Sequence, residues 1–423
     1  MTDGVWWFAS ELAAARSAGV LSSDLRADAF GEYLVYRFVP SPGTFYRNAW
    51  KVPPGHLCRL PSDALPTAPT FGPFGTRFAP SVLPRTRHEW AESLRSTLTT
   101  AVRRQLMSDV PVGSLLSGGV DSTAITRVMA DALPQPPTAF AVGFSENPVF
   151  DELAPARRAA DVLGVPFHGV AITEDEYLAE WPRQVAALGE PIANSSALMV
   201  GLLCRAVRKT HKVVLTGQGA DEPLGGYPRH LAERWRWLTR SAAPLLGMMP
   251  EGVLASDRVA RLRRIGGAQG EARRFAETLA VFGVAEAAAL MRESTTVDQL
   301  LQPVQRWLPP AENGDALNRL LAVDARLSLA DDLLIVADHM SMASSVELRV
   351  PFLDLELLGL VERMPSRYKI SRLGERKWLY REAVEALLPT VVRSATTGWR
   401  ARTGAKLGFS TPIDDWFRAW VAR

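Results

Sequence analysis

Cysteine is nearly absent from this chain: among its 423 residues only Cys58 and Cys204 are cysteines. Two thiols so far apart give neither a disulfide framework nor a metal-ligand spacing, which points to a reducing compartment. Long apolar runs are missing too. No uncharged stretch approaches the ~18–20 residues a membrane-spanning helix needs. The opening MTDGVWWFASELAAARS lacks the basic-then-apolar order of a secretion signal. The expectation is a soluble, cytoplasmic protein with no membrane partner. Charge of one sign is also lacking: 48 Lys and Arg stand against 45 Asp and Glu, a net charge of +3. A dedicated nucleic-acid binder carries a clear basic stripe, so nucleic acid is not an expected partner. Two common nucleotide signatures are missing as well. GWRARTGAK (398–406) has the wrong spacing for G-x-x-x-x-G-K-[ST], and no dinucleotide G-x-G-x-x-G occurs.

The composition, 47% hydrophobic and 22% charged, is that of a globular protein, and the length allows more than one domain. Residues 1–60 read as a small α+β unit: a strand-like GVWWFAS, a helix in ELAAARSAG, and a second helix in DLRADAFGEYLVYRF. Two proline turns with strand-like flanks follow. Residues 61–84 are rich in proline and glycine and read as a linker. From 85 onward strand and helix alternate. HEWAESLRSTLTTAVRRQLM (88–107) predicts a helix, VGSLLS a strand, DSTAITRVMADAL a helix and TAFAVGF a strand. DELAPARRAADVLG then predicts a helix, VPFHGVAI a strand, SALMVGLLCRAVRKT a helix and KVVLTG a strand. Continuous apolar strands alternating with helices predict an α/β fold: a Rossmann-like parallel sheet with helices on both faces. From about 229 to 330 the pattern becomes almost wholly helical and rich in arginine.

The stretch SLLSGGVDSTAI (114–125) joins a buried strand to a helix through two glycines. At such a junction the backbone N–H groups face outward and the helix dipole adds partial positive charge, so a bulky anion can approach. Ser117 and Ser122 add hydroxyls around Gly118 and Gly119. Asp121 is wrong for a bare phosphate but right if Mg²⁺ lies between carboxylate and phosphate. Asp221 likewise follows a strand end and a glycine turn, in KVVLTGQGADEPLGGY (212–227). In an open parallel sheet both carboxylates would face the crevice at the carboxyl edge, although Asp221 could also be a simple helix cap.

The glycine loop resembles the pyrophosphate-binding loop of the N-type ATP pyrophosphatases. Four further stretches resemble, in family order, motifs of the asparagine synthetase/β-lactam synthetase group: KVVLTGQGADEPLGGY, DHMSMASSVELRVPFLD (338–354), ERKWLYREAVEALLP (375–389) and KLGFSTPIDDWF (406–417). The resemblance covers roughly residues 88–420 and implies a synthetase domain over 85–423 that uses ATP and Mg²⁺. The implied ATP contacts are Ser117, Gly118, Gly119, Asp121, Ser122 and Gly217, with Val142 and Gly143 of FAVGF on the adenine side. Asp121 and Asp221 would hold the metal. Lys377 would bring positive charge to the α-phosphate, unless it is a solvated helix lysine. Glu347 would orient or deprotonate the amine, unless it merely pairs with Arg349. Ser195 and Ser196 of NSSA would hold the acyl substrate.

Three departures from the family pattern shape the functional expectation. Residues 1–60 resemble only the tail of the family's N-terminal-nucleophile glutaminase domain, so glutamine hydrolysis is not expected of this chain. Gln218 stands where asparagine synthetases place glutamate and β-lactam synthetases tyrosine, which alters the charge offered to the acyl substrate and its amine partner. His339 replaces a common arginine. The expected activity is ATP-dependent amide synthesis: a carboxylic acid is adenylated, pyrophosphate leaves, and an amine or ammonia displaces AMP. Natural-product tailoring is the favoured setting. Alternatives are an asparagine synthetase-type enzyme served by a separate glutaminase and a tRNA-modifying ATP pyrophosphatase; a homo-oligomer is also allowed.

Overall fold

The computed structural model describes residues 5–60, 69–74, 83–84, 86–144, 152–191, 193–247, 257–312, 314–390 and 392. Contacts divide the chain into two compact units: Met1–Arg77, Leu188–Ala193 and Tyr227–Ile335 form one; Phe78–Ala187, Asn194–Gly226 and Val336–Arg423 form the other.

The first unit begins with helices α1 (Leu12–Ser17) and α2 (Ala27–Tyr36), followed by an antiparallel pair, β1 (His56–Arg59) and β2 (Thr70–Pro73). Among the described residues, the expected strand in GVWWFAS forms no extended ladder. Of its described residues only Val5 makes a β-bridge, and Trp7 and Phe8 are exposed. Aromatic residues favour strands, but a strand also needs a neighbour for its backbone groups. The described part of the arginine-rich region is largely helical, as expected. Helices Glu271–Leu279, Val297–Trp307 and Ala316–Arg326 bury Phe275, Leu300, Val304 and Leu320 in one core with Val35 and Tyr36 of α2.

A charged group lies buried in this unit. Asp324, fully buried, accepts hydrogen bonds from Arg229 Nη2 at 2.8 and 2.9 Å and faces His230 Nε2 at 2.8 Å. Burial alone would raise its carboxyl, but the positive charge of Arg229 and the bond to His230 outweigh that and hold it well below the ordinary carboxylate range.

The second unit holds the parallel sheet. Its strands are β3 (Val112–Leu115), β4 (Ala139–Phe144), β5 (Phe167–Ile172), β6 (Val213–Leu215) and β7 (Glu347–Arg349), in the order β5-β4-β3-β6-β7, all parallel. Strands β3, β4 and β6 are buried along their whole length, which is why they read as unbroken apolar runs. Helix α3 (Arg87–Arg104) opens on a capping box between Thr86 and Glu89. It buries Trp90, Leu94, Leu98 and Val102, spaced four apart, along one face. Helices α4 (Val120–Ala132) and α5 (Leu153–Leu163) carry the chain from β3 to β4 to β5. Helices α6 (Glu174–Leu188) and α7 (Ser196–Val207) return it to β6. Right-handed crossovers in opposite directions place α4 and α5 on one face and α7 on the other. The direction of winding reverses between the neighbours β3 and β6, and an open sheet has its crevice at that switch point, beyond the carboxyl ends of the strands.

Among the elements of this unit not read from the sequence are helix α6, the helix Leu355–Arg363 and the short edge strand β7. Glu-Leu-Arg carries two charges in three residues and lacks the apolar run of the inner strands, as suits an edge.

A group whose carboxyl is lowered on folding contributes stability above its unfolded value near pH 4, and that contribution is lost as pH falls through the folded value. Asp324→Asn should therefore lower stability at pH 7 by about 3–5 kcal/mol, because it leaves Arg229 without its partner. It should also flatten the loss of stability below about pH 4. Urea unfolding of both proteins at pH 7 and in mild acid measures this; an unchanged acid slope would show that the carboxylate is not the group responsible.

Candidate active site

The loop after β3 is built around two serines. Ser117 N–H donates to Ser122 Oγ at 3.2 Å, the two hydroxyls lie 3.1 Å apart, and Gly119 N–H points at Ser117 Oγ at 3.4 Å. Gly118 has φ +72°, and a Cβ there would stand 2.7 Å from the carbonyl of Pro155 at the start of α5. Both the left-handed backbone and the close approach require glycine. Gly119 is the N-cap of α4 and no side chain caps that helix, so the first-turn N–H groups face the end of the loop.

The loop after β6 meets it. A Cβ on Gly217 would lie 2.8 Å from the Ser122 nitrogen and 3.1 Å from Asp121 Cβ, so the two loops touch with no room for a side chain. Gly219 then turns with φ +80°, and Asp221 is the first residue of the one-turn helix α8 (Asp221–Leu224). Asp121, in the first turn of α4, and Asp221 thus emerge from the two strands that flank the switch point.

Lys377 ties them together. Its Nζ lies 3.0 Å from Asp121 Oδ2 and 2.6 Å from Asp221 Oδ1. Lys377 is 5% exposed and is therefore not a solvated helix lysine. It is the N-cap of the helix Trp378–Val384 and has φ 51°, ψ 35°, a left-handed conformation that costs a non-glycine residue on the order of 1–2 kcal/mol. Residues held this way cluster at functional sites. Gly226 makes the space: a Cβ there would fall 1.9 Å from Asp221 Oδ1 and 2.5 Å from Lys377 Cε.

Two neighbours of this group, Arg376 and Tyr380, were not singled out as site residues from the sequence. Buried Arg376 donates to the Gly226 carbonyl at 2.8 Å. Burial pulls its guanidinium down from the ordinary range, and Arg381 adds to the effect while Asp221 opposes it. The hydroxyl of buried Tyr380 is pushed well above its ordinary value, first by burial and then by the charge of Asp121. The signal was in the text of the sequence: two cations and a tyrosine beside Lys377 in ERKWLYRE. What it could not show is that Arg376 and Tyr380 are buried against the carboxylates.

The remaining expected residues divide. Val142 and Gly143 are buried in β4, and the β3–β4 register ends at Leu115 opposite Phe140, so both lie beyond the end of β3 on the crevice side. Gln218 is partly exposed in the loop between Gly217 and Asp221. Ser195 and Ser196 open α7, which runs against the strands and so begins at their carboxyl edge. Ser196 is engaged there, its hydroxyl donating to Asn194 Oδ1 at 2.6 Å, and the Ser195 carbonyl accepts from Tyr177 at 2.8 Å. Glu347 is different. The parallel register sets it opposite Val213, itself opposite Val112. That places it at the amino edge of the sheet, away from the glycine loops. It is exposed and paired with Arg349 at 2.7 Å, so an ion pair rather than contact with an amine is what its position supports. His339 lies in the helix Ile335–Met342. The motif KLGFSTPIDDWF (406–417) falls outside the described residues.

The donor set can be tested against Mg²⁺. Among the described residues no group of three or more His, Cys, Asp or Glu could form a metal cage. Two carboxylates are nevertheless the set Mg²⁺ takes when substrate phosphates complete its shell, with Lys377 Nζ as a neighbouring cation. The residues fit the ion. Lys377→Met should remove the cation and leave two facing carboxylates, one of them buried, lowering stability by about 3–5 kcal/mol. Added Mg²⁺ should then raise the melting temperature of the variant more than that of the wild type. Thermal unfolding with and without millimolar Mg²⁺ checks this; equal shifts in both proteins would contradict the site.

Comparison with known proteins gives the family of this chain. Residues 93–423 match the family model described as asparagine synthase. Asparagine synthetase [glutamine-hydrolyzing] 1 of Bacillus subtilis is 29% identical over 97% of this chain, and the putative asparagine synthetase [glutamine-hydrolyzing] of Mycobacterium tuberculosis 31% identical over 92%. The chain spans 63% and 59% of the length of these relatives. A solved NH3-dependent NAD synthetase from Campylobacter jejuni overlaps 32% of this chain and 60% of its own, at 19% identity and a TM-score of 0.25. With a family match across 93–423 and the two strand-end carboxylates at the switch point, the chain belongs to the asparagine synthase family.

Proposed function

We propose that this protein is an ATP-dependent amide synthetase that activates a carboxylic acid as its acyl-adenylate. The observation that carries the reading is Lys377 held between Asp121 and Asp221, directly beside an uncapped helix N-terminus and its two-glycine loop.

In this reading the N–H groups of Ser117–Ser122 and the two serine hydroxyls receive ATP phosphate oxygens, while Gly143 and Val142 line the adenine side. Asp121 and Asp221 would hold Mg²⁺, which when bound neutralises phosphate charge. A carboxylate oxygen of the substrate attacks the α-phosphorus, and the bond to the bridging oxygen of pyrophosphate breaks with its electron pair on pyrophosphate. Lys377 offers positive charge where that negative charge develops. The neutral amine nitrogen then attacks the acyl carbon, the acyl–oxygen bond breaks with its electron pair on the departing AMP, and the proton lost by the nitrogen passes to water. Gln218, in the same loop three residues before Asp221, would present a carboxamide to the acceptor. A carboxamide takes no proton at neutral pH, so it favours orienting an amine by hydrogen bonds over deprotonating it. This supports an organic amine as the acceptor and natural-product assembly as the setting, with Ser195 and Ser196 on the acyl side.

The test is to supply ATP, Mg²⁺ and a panel of carboxylic acids with amines, ammonium or glutamine, and to measure AMP and pyrophosphate. Asp121→Asn and Asp221→Asn should each lower AMP formation by at least about 100-fold, the scale of removing one transition-state contact. AMP formation at the wild-type rate in either variant would overturn the assignment. ADP and phosphate as products would exclude adenylation.

A further inference from the structure

The first unit holds a cavity of about 510 Å³ between α2, the segment Pro40–Trp50 and the helix Val297–Trp307. Charged groups of both signs line it: Arg26, Arg47 and Arg306 on one side of the balance, Asp28 and Glu32 on the other. Some of these charges are satisfied by the protein. Arg26 spends its guanidinium on Asp28, at 2.7 and 3.3 Å, and on the Thr44 carbonyl at 3.2 Å. Lys51, close by, donates to the Val39 carbonyl at 2.6 Å and reaches Glu190 at 3.4 Å.

Glu32 is left over. Its one ion pair among the described residues is with Arg26 at 3.7 Å, too long for a hydrogen bond. Its Oε2 is sealed from solvent with no donor. Its Oε1 is not among the sealed oxygens and also has no donor, so it opens to the cavity that the side chain lines. Burial raises this carboxyl to about 7, with Arg26, Lys51 and Arg306 pulling it down and Asp28 pushing it up. A carboxylate so placed lacks a cationic donor. The arginines give the complementary half. The guanidinium of exposed Arg47 has no partner among the described residues. Exposed Arg306 uses Nη1 on the Ser41 carbonyl at 2.6 Å and keeps its other donors.

We infer that this cavity is a binding site for a zwitterionic α-amino acid, whose ammonium sits on Glu32 and whose carboxylate is held by Arg47 and Arg306. The zwitterion fits where a simple anion or cation does not. An anion would leave Glu32 without a donor beside a like charge, and a cation would face three arginines. A forked guanidinium suits a carboxylate in two-point contact. The site is separate from the glycine loops, which belong to the other unit.

Isothermal titration of the full chain with glycine, L-alanine, L-aspartate, L-glutamine and L-phenylalanine tests this. At least one should bind saturably. Its N-acetyl derivative, which lacks the ammonium, and its α-amide, which lacks the carboxylate, should each bind at least about tenfold more weakly. Glu32→Gln should weaken binding by a similar factor, and Asp121→Asn should leave it intact. If Glu32→Gln fails to fold, Arg47→Ala, an exposed site compatible with folding, and the two blocked ligands still decide. No saturable binding below about 10 mM would overturn the inference. Binding unchanged by N-acetylation, or binding lost in Asp121→Asn but kept in Glu32→Gln, would overturn it as well.

Discussion

The cation between two carboxylates is the constraint on which the second unit depends. Asp121 and Asp221 would repel each other if left facing in a buried space, and Lys377 Nζ, within 3.0 Å of both, removes that cost. Much of the surrounding architecture follows. Gly217 and Gly226 lack side chains because the two loops and the ammonium stem fill that space. Lys377 adopts a left-handed backbone to aim inward. Arg376 holds the Gly226 carbonyl, and so the end of the second loop, in place.

The sheet explains why these residues meet. Reversing the winding direction between β3 and β6 leaves no crossover covering the space beyond their carboxyl ends. Each strand delivers a glycine turn, a carboxylate and a helix N-terminus to the same crevice. The site is therefore a consequence of strand order, and each side chain needs only to be at the right offset from its own strand. Residues at the other ends of the strands, such as Glu347, are excluded from it by the same geometry.

How much of this was legible in the sequence depended on whether the signal was local. The inner strands β3, β4 and β6 could be read because burial on both faces makes them continuous apolar runs. The glycine loop could be read because strand, glycines and helix follow within a dozen residues. Edge strand β7 could not, since three residues with two charges carry no period. GVWWFAS misled because its aromatic content favours a strand, whereas among its described residues only Val5 makes a β-bridge. Glu347 stood in a motif beside Arg349, but which edge of the sheet it occupies is set by its register with β6, more than a hundred residues earlier in the chain. The burial of Arg376 and Tyr380, and the open Oε1 of Glu32, are properties of tertiary packing and have no signature in a stretch of text.

The central claim, that the crevice serves attack of a carboxylate on the α-phosphate of ATP, is tested most directly by isotope transfer. An acid that supports ATP turnover is labelled with ¹⁸O in its carboxyl group, the reaction is run with an amine, and AMP and pyrophosphate are examined by mass spectrometry. The account predicts one ¹⁸O in the phosphate of AMP for each amide formed and none in pyrophosphate. Label in pyrophosphate or inorganic phosphate, or unlabelled AMP alongside amide, would contradict it.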